Sequence, residues 1–169
     1  MAERISTRIP DLTLRWAGPS DTGTILGFIK ELADYEKLSH EVVATEETLR
    51  ASLFEGRRVA EVVLAELAGT PVGFALFFHN FSTFLGRPGI YLEDLYVTPG
   101  MRGKGIGAAL LSFLGRLACE RGCGRLEWAV LDWNAPAIGF YRSLGAQPMD
   151  EWTVFRLTGD ALRRLAAPR

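Results

Sequence analysis

Histidine and cysteine, the side chains most often recruited to hold metals, are nearly missing from this chain: His40, His79, Cys119 and Cys123 are the whole set. The two cysteines lie four residues apart with no CxxC or His-rich pattern around them, which argues against a zinc site. They read as buried or half-buried thiols of a reducing compartment. Neither histidine sits in a GxSxG or metal-spaced pattern, so neither is given a catalytic role. Charge of one sign is lacking too: nineteen Lys and Arg face twenty Asp and Glu, for a net charge of −1. Without a basic excess, nucleic acid is not an expected partner. Long hydrophobic runs are also absent. The longest apolar stretch, Val72 to Phe78, is too short to span a bilayer, and the charged N-terminus has no apolar core of a secretory signal. A soluble cytoplasmic protein with no membrane partner is expected.

What is present is a length of 169 residues, enough for one domain with a substantial core. The stretch MRGKGIGAALL, residues 101–111, has glycine at 103, 105 and 107 and cations at 102 and 104. Glycine lets a backbone approach a ligand or take angles that a Cβ forbids. The spacing of Ile106, Leu110, Phe113/Leu114 and Leu117 that follows is helical. A glycine-rich turn that opens a helix offers N–H groups and a dipole to an anion. In a nearly neutral chain, that anion is expected to be a small ligand. No Gly-Lys-Ser/Thr occurs, so the turn is not a P-loop. Gly103-x-Gly105-x-x-Ala108 formally satisfies a dinucleotide fingerprint, with Glu127 at roughly the distance of its ribose-binding acid. However, the match begins too late in the chain for a doubly wound sheet, and Glu127 lies near the start of its strand, not the end.

The rest of the chain divides into short elements. Residues 1–11 lack periodicity and read as a loose tail, leaving 12–169 as the domain. Strands are predicted at 12–16, 59–67, 72–78, 90–97, 125–131 and 152–157, the second and third as an antiparallel hairpin. Helices are predicted from Ser20 to Tyr35, from Thr45, over the run after Gly105, and from Asn134 to Leu144, with a short one near Asp160. Residues 80–89 read as a loop. Hairpins first and strand–helix–strand units later make a mixed α/β sheet.

The block Tyr91-Leu92-Glu93-Asp94-Leu95-Tyr96-Val97-x-Pro99-x-x-Arg102-Gly103-x-Gly105-Ile106-Gly107 resembles the acetyl-CoA-binding motif of the GNAT family of N-acetyltransferases. A second block of that family is matched by Asn134-x-Pro136-Ala137-x-x-Phe140-Tyr141-x-x-x-Gly145-Ala146. The resemblance covers roughly residues 12–165. It is strongest toward the diamine (spermidine/spermine type) and thialysine acetyltransferases, through Lys30-Glu31-Leu32-Ala33-x-Tyr35-Glu36, Ser82-Thr83-x-x-Gly86-Arg87 and Tyr91–Asp94. It implies a single-domain GNAT-like fold, a mostly antiparallel central sheet with helices on both faces.

The resemblance also implies a site. Coenzyme A would lie on Leu95, Tyr96 and Val97 and on the turn from Arg102 through Gly103, Lys104, Gly105, Ile106, Gly107 and Ala108, with Asn134, Pro136, Ala137 and Tyr141 as further contacts. An N–H near Val97 could reach the thioester oxygen as an oxyanion donor. An alkylamine with a pKa near ~10 is protonated at neutral pH and must lose a proton before attack. Glu93 matches the family carboxylate that would take it, and Tyr141 matches the tyrosine that protonates the leaving thiolate. Regular alternation would put Asp94 on the opposite face from Glu93. Tyr35, Glu36, Glu93, Glu127, Trp128 and Trp152 are the implied amine-groove residues, where carboxylates and aromatic faces suit a flexible cation. Glu127 is the position where agreement with the family is not expected.

The expected reaction is direct attack in a ternary complex on a small di- or polyamine or an amine-bearing amino acid, with no metal and no acyl-enzyme on Cys119 or Cys123. The family also implies a homodimer. The alternatives are a non-catalytic acyl-CoA sensor and an enzyme acetylating protein lysines or N-termini.

Overall fold

A computed structural model describes residues 4–167. These fall into two compact units, one ending at Ala129 and one beginning at Val130. The first unit holds six strands: β1 (Arg4–Ser6), β2 (Leu12–Trp16), β3 (Glu61–Leu67), β4 (Thr70–Ser82), β5 (Arg87–Val97) and β6 (Leu126–Trp128). They line up in chain order, antiparallel from β1 to β5, with β6 parallel to β5. The unit also carries α1 (Thr22–Tyr35), α2 (Glu46–Phe54) and α3 (Ile106–Glu120). The second unit carries α4 (Ala135–Ser143) and α5 (Gly159–Ala166). This is the mixed, mostly antiparallel sheet that the sequence implied.

Strand alternation sorts the core into two layers. Val62, Leu64, Phe74, Leu76 and Tyr96 pack with Ile25, Phe28 and Leu53, so α1 and α2 cover that face. The intervening residues face α3: Trp16 meets Phe113 edge-on at 5.6 Å and Phe77 at 6.1 Å. Helices therefore cover both faces. α2 begins where Thr45 caps it, its Oγ1 accepting from the Thr48 N–H at 3.2 Å, as a threonine before a helix should.

Four strand expectations need correction, the first being 125–131, which forms only over Leu126–Trp128. Arg4–Ser6, read as part of a loose tail, pairs with β2 as an edge strand. Three residues are too few to show periodicity, and the register is fixed instead by Thr7, whose hydroxyl donates to Leu12 O at 2.9 Å. Residues 80–89, read as a loop, are mostly strand, because β4 and β5 continue to a tight turn at 83–86. The expected strand 152–157 is not formed, and Trp152, Val154 and Phe155 are exposed. Among the described residues no strand pairs with it, and an isolated strand leaves its backbone groups to water. Cys119 is exposed, Cys123 is half-buried, and both are free thiols.

An ion cluster fastens the far end of the sheet. Arg15 on β2 donates from Nε to Glu66 (2.7 Å) and from Nη1 and Nη2 to Asp21 (2.8 and 2.9 Å). The guanidinium holds the Asp21 carboxyl below its ordinary pKa. Glu66 is nearly sealed from solvent, and beside the hydrogen-bonded Arg15 it has one looser cationic partner, Arg4 Nη2 at 3.5 Å from its other oxygen. Arg15→Met should therefore destabilise the fold by about 3 kcal/mol, because it strands a buried carboxylate, measured by urea unfolding at neutral pH. An effect under about 0.5 kcal/mol would show that Arg4 or water compensates Glu66 once Arg15 is gone.

Candidate active site

β5 is the strand around which the site is built. On one side β4 accompanies it from Arg87 to Val97. On the other, β6 pairs with only Ile90, Tyr91 and Leu92. From 93 to 97 that second edge carries no strand among the described residues. The direction of its groups follows from peptide geometry. The Thr98 N–H bonds Val72 O on the β4 side, so the Val97 carbonyl points the other way, and the Val97 N–H with it. Leu95, two residues back, presents its N–H and C=O to the same open edge. Arg102 closes one of these groups, donating from Nε to Val97 O at 2.9 Å.

Glu93 occupies an irregularity. Leu76 pairs with Asp94 but Phe77 pairs with Leu92, so Glu93 is an extra residue, a β-bulge. This overturns the alternation argument: Glu93 and Asp94 are not separated onto opposite faces by a regular pleat. Asp94 shares the α1 face with Leu76 and Tyr96, and burial, Glu93 and Glu36, in that order, push its carboxyl up to about 6. Glu36, which caps the C-terminus of α1, is itself raised by burial. Glu36, Glu93 and Asp94 thus form one negative cluster, with Asp94 at its buried end. Sequence reasoning passed over Asp94 because a bulge has no signature in this stretch.

The glycine turn follows β5 directly. Gly103 and Gly105 have φ of 73° and 83°, left-handed angles that an L-residue adopts only with strain. Gly105 is the N-cap of α3 and has no side chain to cap it, and the Ala109 N–H is the first to close the helical ladder, onto Gly105 O. The amides of Ile106, Gly107 and Ala108 therefore lie in the first turn, where a helix has no partners of its own for them. A Cβ on Gly103 or Gly107 would meet nothing within 4 Å, whereas one on Gly105 would lie 3.4 Å from Ile9 Cδ1, so the folded chain leaves space over the two outer glycines of the turn. The Lys104 ammonium is turned back to Met101 Sδ at 3.5 Å.

Other expected groove residues are placed as follows. Tyr35 ends α1, beside Glu36. Glu127 and Trp128 lie on β6, with Glu127 opposite Tyr91. The Glu127 carboxylate is already engaged, with Arg125 Nε at 2.8 Å and the Asn80 amide donating at 2.8 Å, so much of its charge is neutralised. In the second unit, Asn134 caps α4 by accepting from the Ala137 N–H at 3.3 Å, with Pro136 in the first turn. Tyr141 lies on α4, its ring 5.5 Å from that of Phe140. Trp152 is on an exposed segment, not a strand. No group of three or more metal-binding side chains occurs among the described residues, and no helix there is long and apolar enough to cross a membrane.

The sequence pattern of the acetyltransferase (GNAT) family matches residues 26–146. The chain is 43% identical over 164 residues to a thialysine N-epsilon-acetyltransferase of Bos taurus, covering 90% of this chain and 96% of that one. It is 34% identical to the L-ornithine N5-acetyltransferase NATA1 of Arabidopsis thaliana, covering 90% and 86%. Among solved structures, an integron cassette protein from the mobile metagenome of V. cholerae superposes with a TM-score of 0.79 at 27% identity, over 94% of this chain and 99% of that one. An aminoglycoside acetyltransferase from an uncultured soil metagenomic sample shares the fold, with a TM-score of 0.73 at 19% identity, over 88% and 96%. By pattern, relatives and architecture together, the chain is an acetyltransferase enzyme and belongs to the GNAT family.

Proposed function

We propose that the chain moves an acetyl group from acetyl-CoA to the primary amine of a small di- or polyamine or an amine-bearing amino acid, by direct attack in a ternary complex. The observation that carries this reading is the sequence of features along β5: a carboxylate cluster at 93–94, then an unpaired strand edge at 95–97, then an anion-type turn at 103–108. The names of the relatives, which act on thialysine and L-ornithine, support an amine carried on a short chain.

The residues present fit acetyl-CoA. Gly107 sits inside α3 at an ordinary helical φ, with no contact that a methyl group would spoil. Glycine there costs the helix about 1 kcal/mol relative to alanine, and nothing in the folded chain uses the missing side chain. A pyrophosphate lying on the amides of 106–108 would use it. When bound, acetyl-CoA supplies an activated acyl group on a thiolate leaving group. The edge groups of Leu95 and the Val97 N–H would align the pantetheine arm as a neighbouring strand would. The Val97 N–H would also meet the charge that develops on the carbonyl oxygen.

Asp94 and Glu93 would receive the substrate ammonium. Asp94 gains most, because a cation offsets both its burial and its repulsion from Glu93 and Glu36. With its carboxyl near 6 it is also matched to take a proton at neutral pH, directly or through water. Glu36 and Tyr35 would hold the rest of the cation, and Trp128 and Trp152 would line the groove. Glu127 is left a secondary part by its ion pair with Arg125 and the hydrogen bond it accepts from Asn80. Tyr141 would return a proton to the departing thiolate, and Asn134, Pro136 and Ala137 would flank the cofactor. Lys104 and Arg102 would add positive charge near the turn. A cytoplasmic homodimer belongs to the same reading. The exposed Val154 and Phe155 are apolar surface that a second copy would cover.

The test is thiol release from acetyl-CoA with putrescine, spermidine, spermine, lysine, thialysine and a lysine peptide. Turnover is expected with one or more of the small amines. Coenzyme A binding without turnover on any of them would overturn the proposal. Glu93→Gln, Asp94→Asn and Tyr141→Phe should each cut turnover by about 10²-fold or more, and the acid limb of the wild-type kcat/KM profile near pH 6 should vanish in Asp94→Asn. The same Asp94→Asn variant should be more stable than wild type. A carboxyl raised by folding weakens the fold as pH climbs above its unfolded value and through its folded one. The gain should be about 1–2 kcal/mol at pH 8 and should fade toward pH 4, as read by urea unfolding across pH. Gly107→Ala should likewise stabilise the free protein, by about 0.5–1 kcal/mol, while weakening coenzyme A binding at least tenfold in calorimetry.

A further inference from the structure

Arg102 stands where a phosphate-facing cation is expected, yet its side chain is turned toward α1. The guanidinium carbon lies 4.6 Å from the centroid of the Tyr35 ring and 5.5 Å from that of Tyr96, within the range at which a cation is held by an aromatic face. Nε is fixed on the Val97 carbonyl at 2.9 Å. Tyr96 is anchored in turn, its hydroxyl donating to Glu31 Oε2 on α1 at 2.7 Å, and burial together with that bond pushes its phenol up to about 12. One side chain therefore touches the last residue of α1, the end of β5 and, through its own backbone, the first glycine of the turn.

The positions are adjacent to both proposed binding regions. Tyr35 immediately precedes Glu36 of the carboxylate cluster, and Arg102 immediately precedes Gly103 of the turn. We propose that Arg102 is a positioning residue that couples the two regions through its stack on Tyr35, so that ordering the turn also orders the carboxylate end of α1. The inference rests on the proposed function, since it takes coenzyme A as the ligand of the turn. A ligand that orders one partner of a bonded pair lowers the cost of ordering the other, and the effect runs equally in both directions. Lysine in place of Arg102 keeps the charge that a phosphate would feel, but loses the planar stack and the Nε donor.

The C-terminus of α1 provides its own reporters, because the amides of Glu36, Lys37 and Leu38 donate to Leu32, Asp34 and Ala33. Hydrogen exchange of these amides would be followed with and without saturating coenzyme A, alongside calorimetry. In the wild type, exchange at 36–38 should slow about tenfold on coenzyme A binding. In Arg102→Lys and in Tyr35→Leu, each brought to saturation with coenzyme A by its own measured Kd, the slowing should fall below about twofold, and Tyr35→Phe, which keeps the ring, should restore it. A role in helix stability alone would change exchange in the free protein without removing its response to coenzyme A. Protection confined to residues 103–109 in the wild type, or a full response in Arg102→Lys, would overturn the coupling and leave the proposed function standing. Failure of the wild type to bind coenzyme A would overturn both.

Discussion

The structure depends on an unequal pairing of β5. Ten residues of β4 hold it firmly on one side, while β6 holds only three residues on the other. Had β6 continued, Leu95 and Val97 would have spent their edge groups on a neighbouring strand. Because β6 stops at Trp128, the sheet is left with an open edge along the end of β5, just before the chain bends into the glycine turn. The cost is moderate: the β4 ladder, the Arg102 bond to Val97 O and the core contacts of Tyr96 keep the half-paired strand in place.

The bulge at Glu93 adds a second departure from regular sheet. A bulge leaves one residue outside the ladder and turns its neighbours. Here it lies where the β6 pairing ends, and it places a carboxylate pair between the paired and unpaired halves of β5. The Asp94 carboxyl is raised first by burial and then by repulsion from Glu93 and Glu36, so its charge is unfavourable in the free protein. Unfavourable charge held in a folded scaffold attracts a cation, and on the proposed reading the stability given up in folding would return as affinity for an ammonium.

How much of this was legible in the sequence varies with how local the signal is. The glycine turn and α3 were read correctly because their cause lies within a dozen residues: alternate glycines, then a helical apolar run. The β3–β4 hairpin and the α4 cap at Asn134 have equally local causes. The bulge does not. Glu93 and Asp94 look like any two strand residues, and only the register against Leu76 and Phe77 shows that one is extra. The short β1 was missed for a similar reason, since its pairing with β2 is a property of both strands. The segment at 152–157 erred in the other direction: WTVFRL has the composition of a strand, but composition supplies no neighbour.

Glu127 shows why a residue's charge has to be read together with its partners. From sequence it was one of the implied amine-groove acids. In the folded chain it lies opposite Tyr91 with Arg125 and Asn80 on its oxygens. A cation approaching β6 would have to compete with a guanidinium already 2.8 Å away. A cation approaching Asp94 meets a carboxylate that two other acids repel. On the proposed reading the attraction would therefore be concentrated at one end of β5, and it would favour a single ammonium beside the open edge over two placed symmetrically along the sheet. Such an arrangement suits an amine whose remaining length carries other chemistry, as an amino acid side chain does, at least as well as it suits a long polyamine.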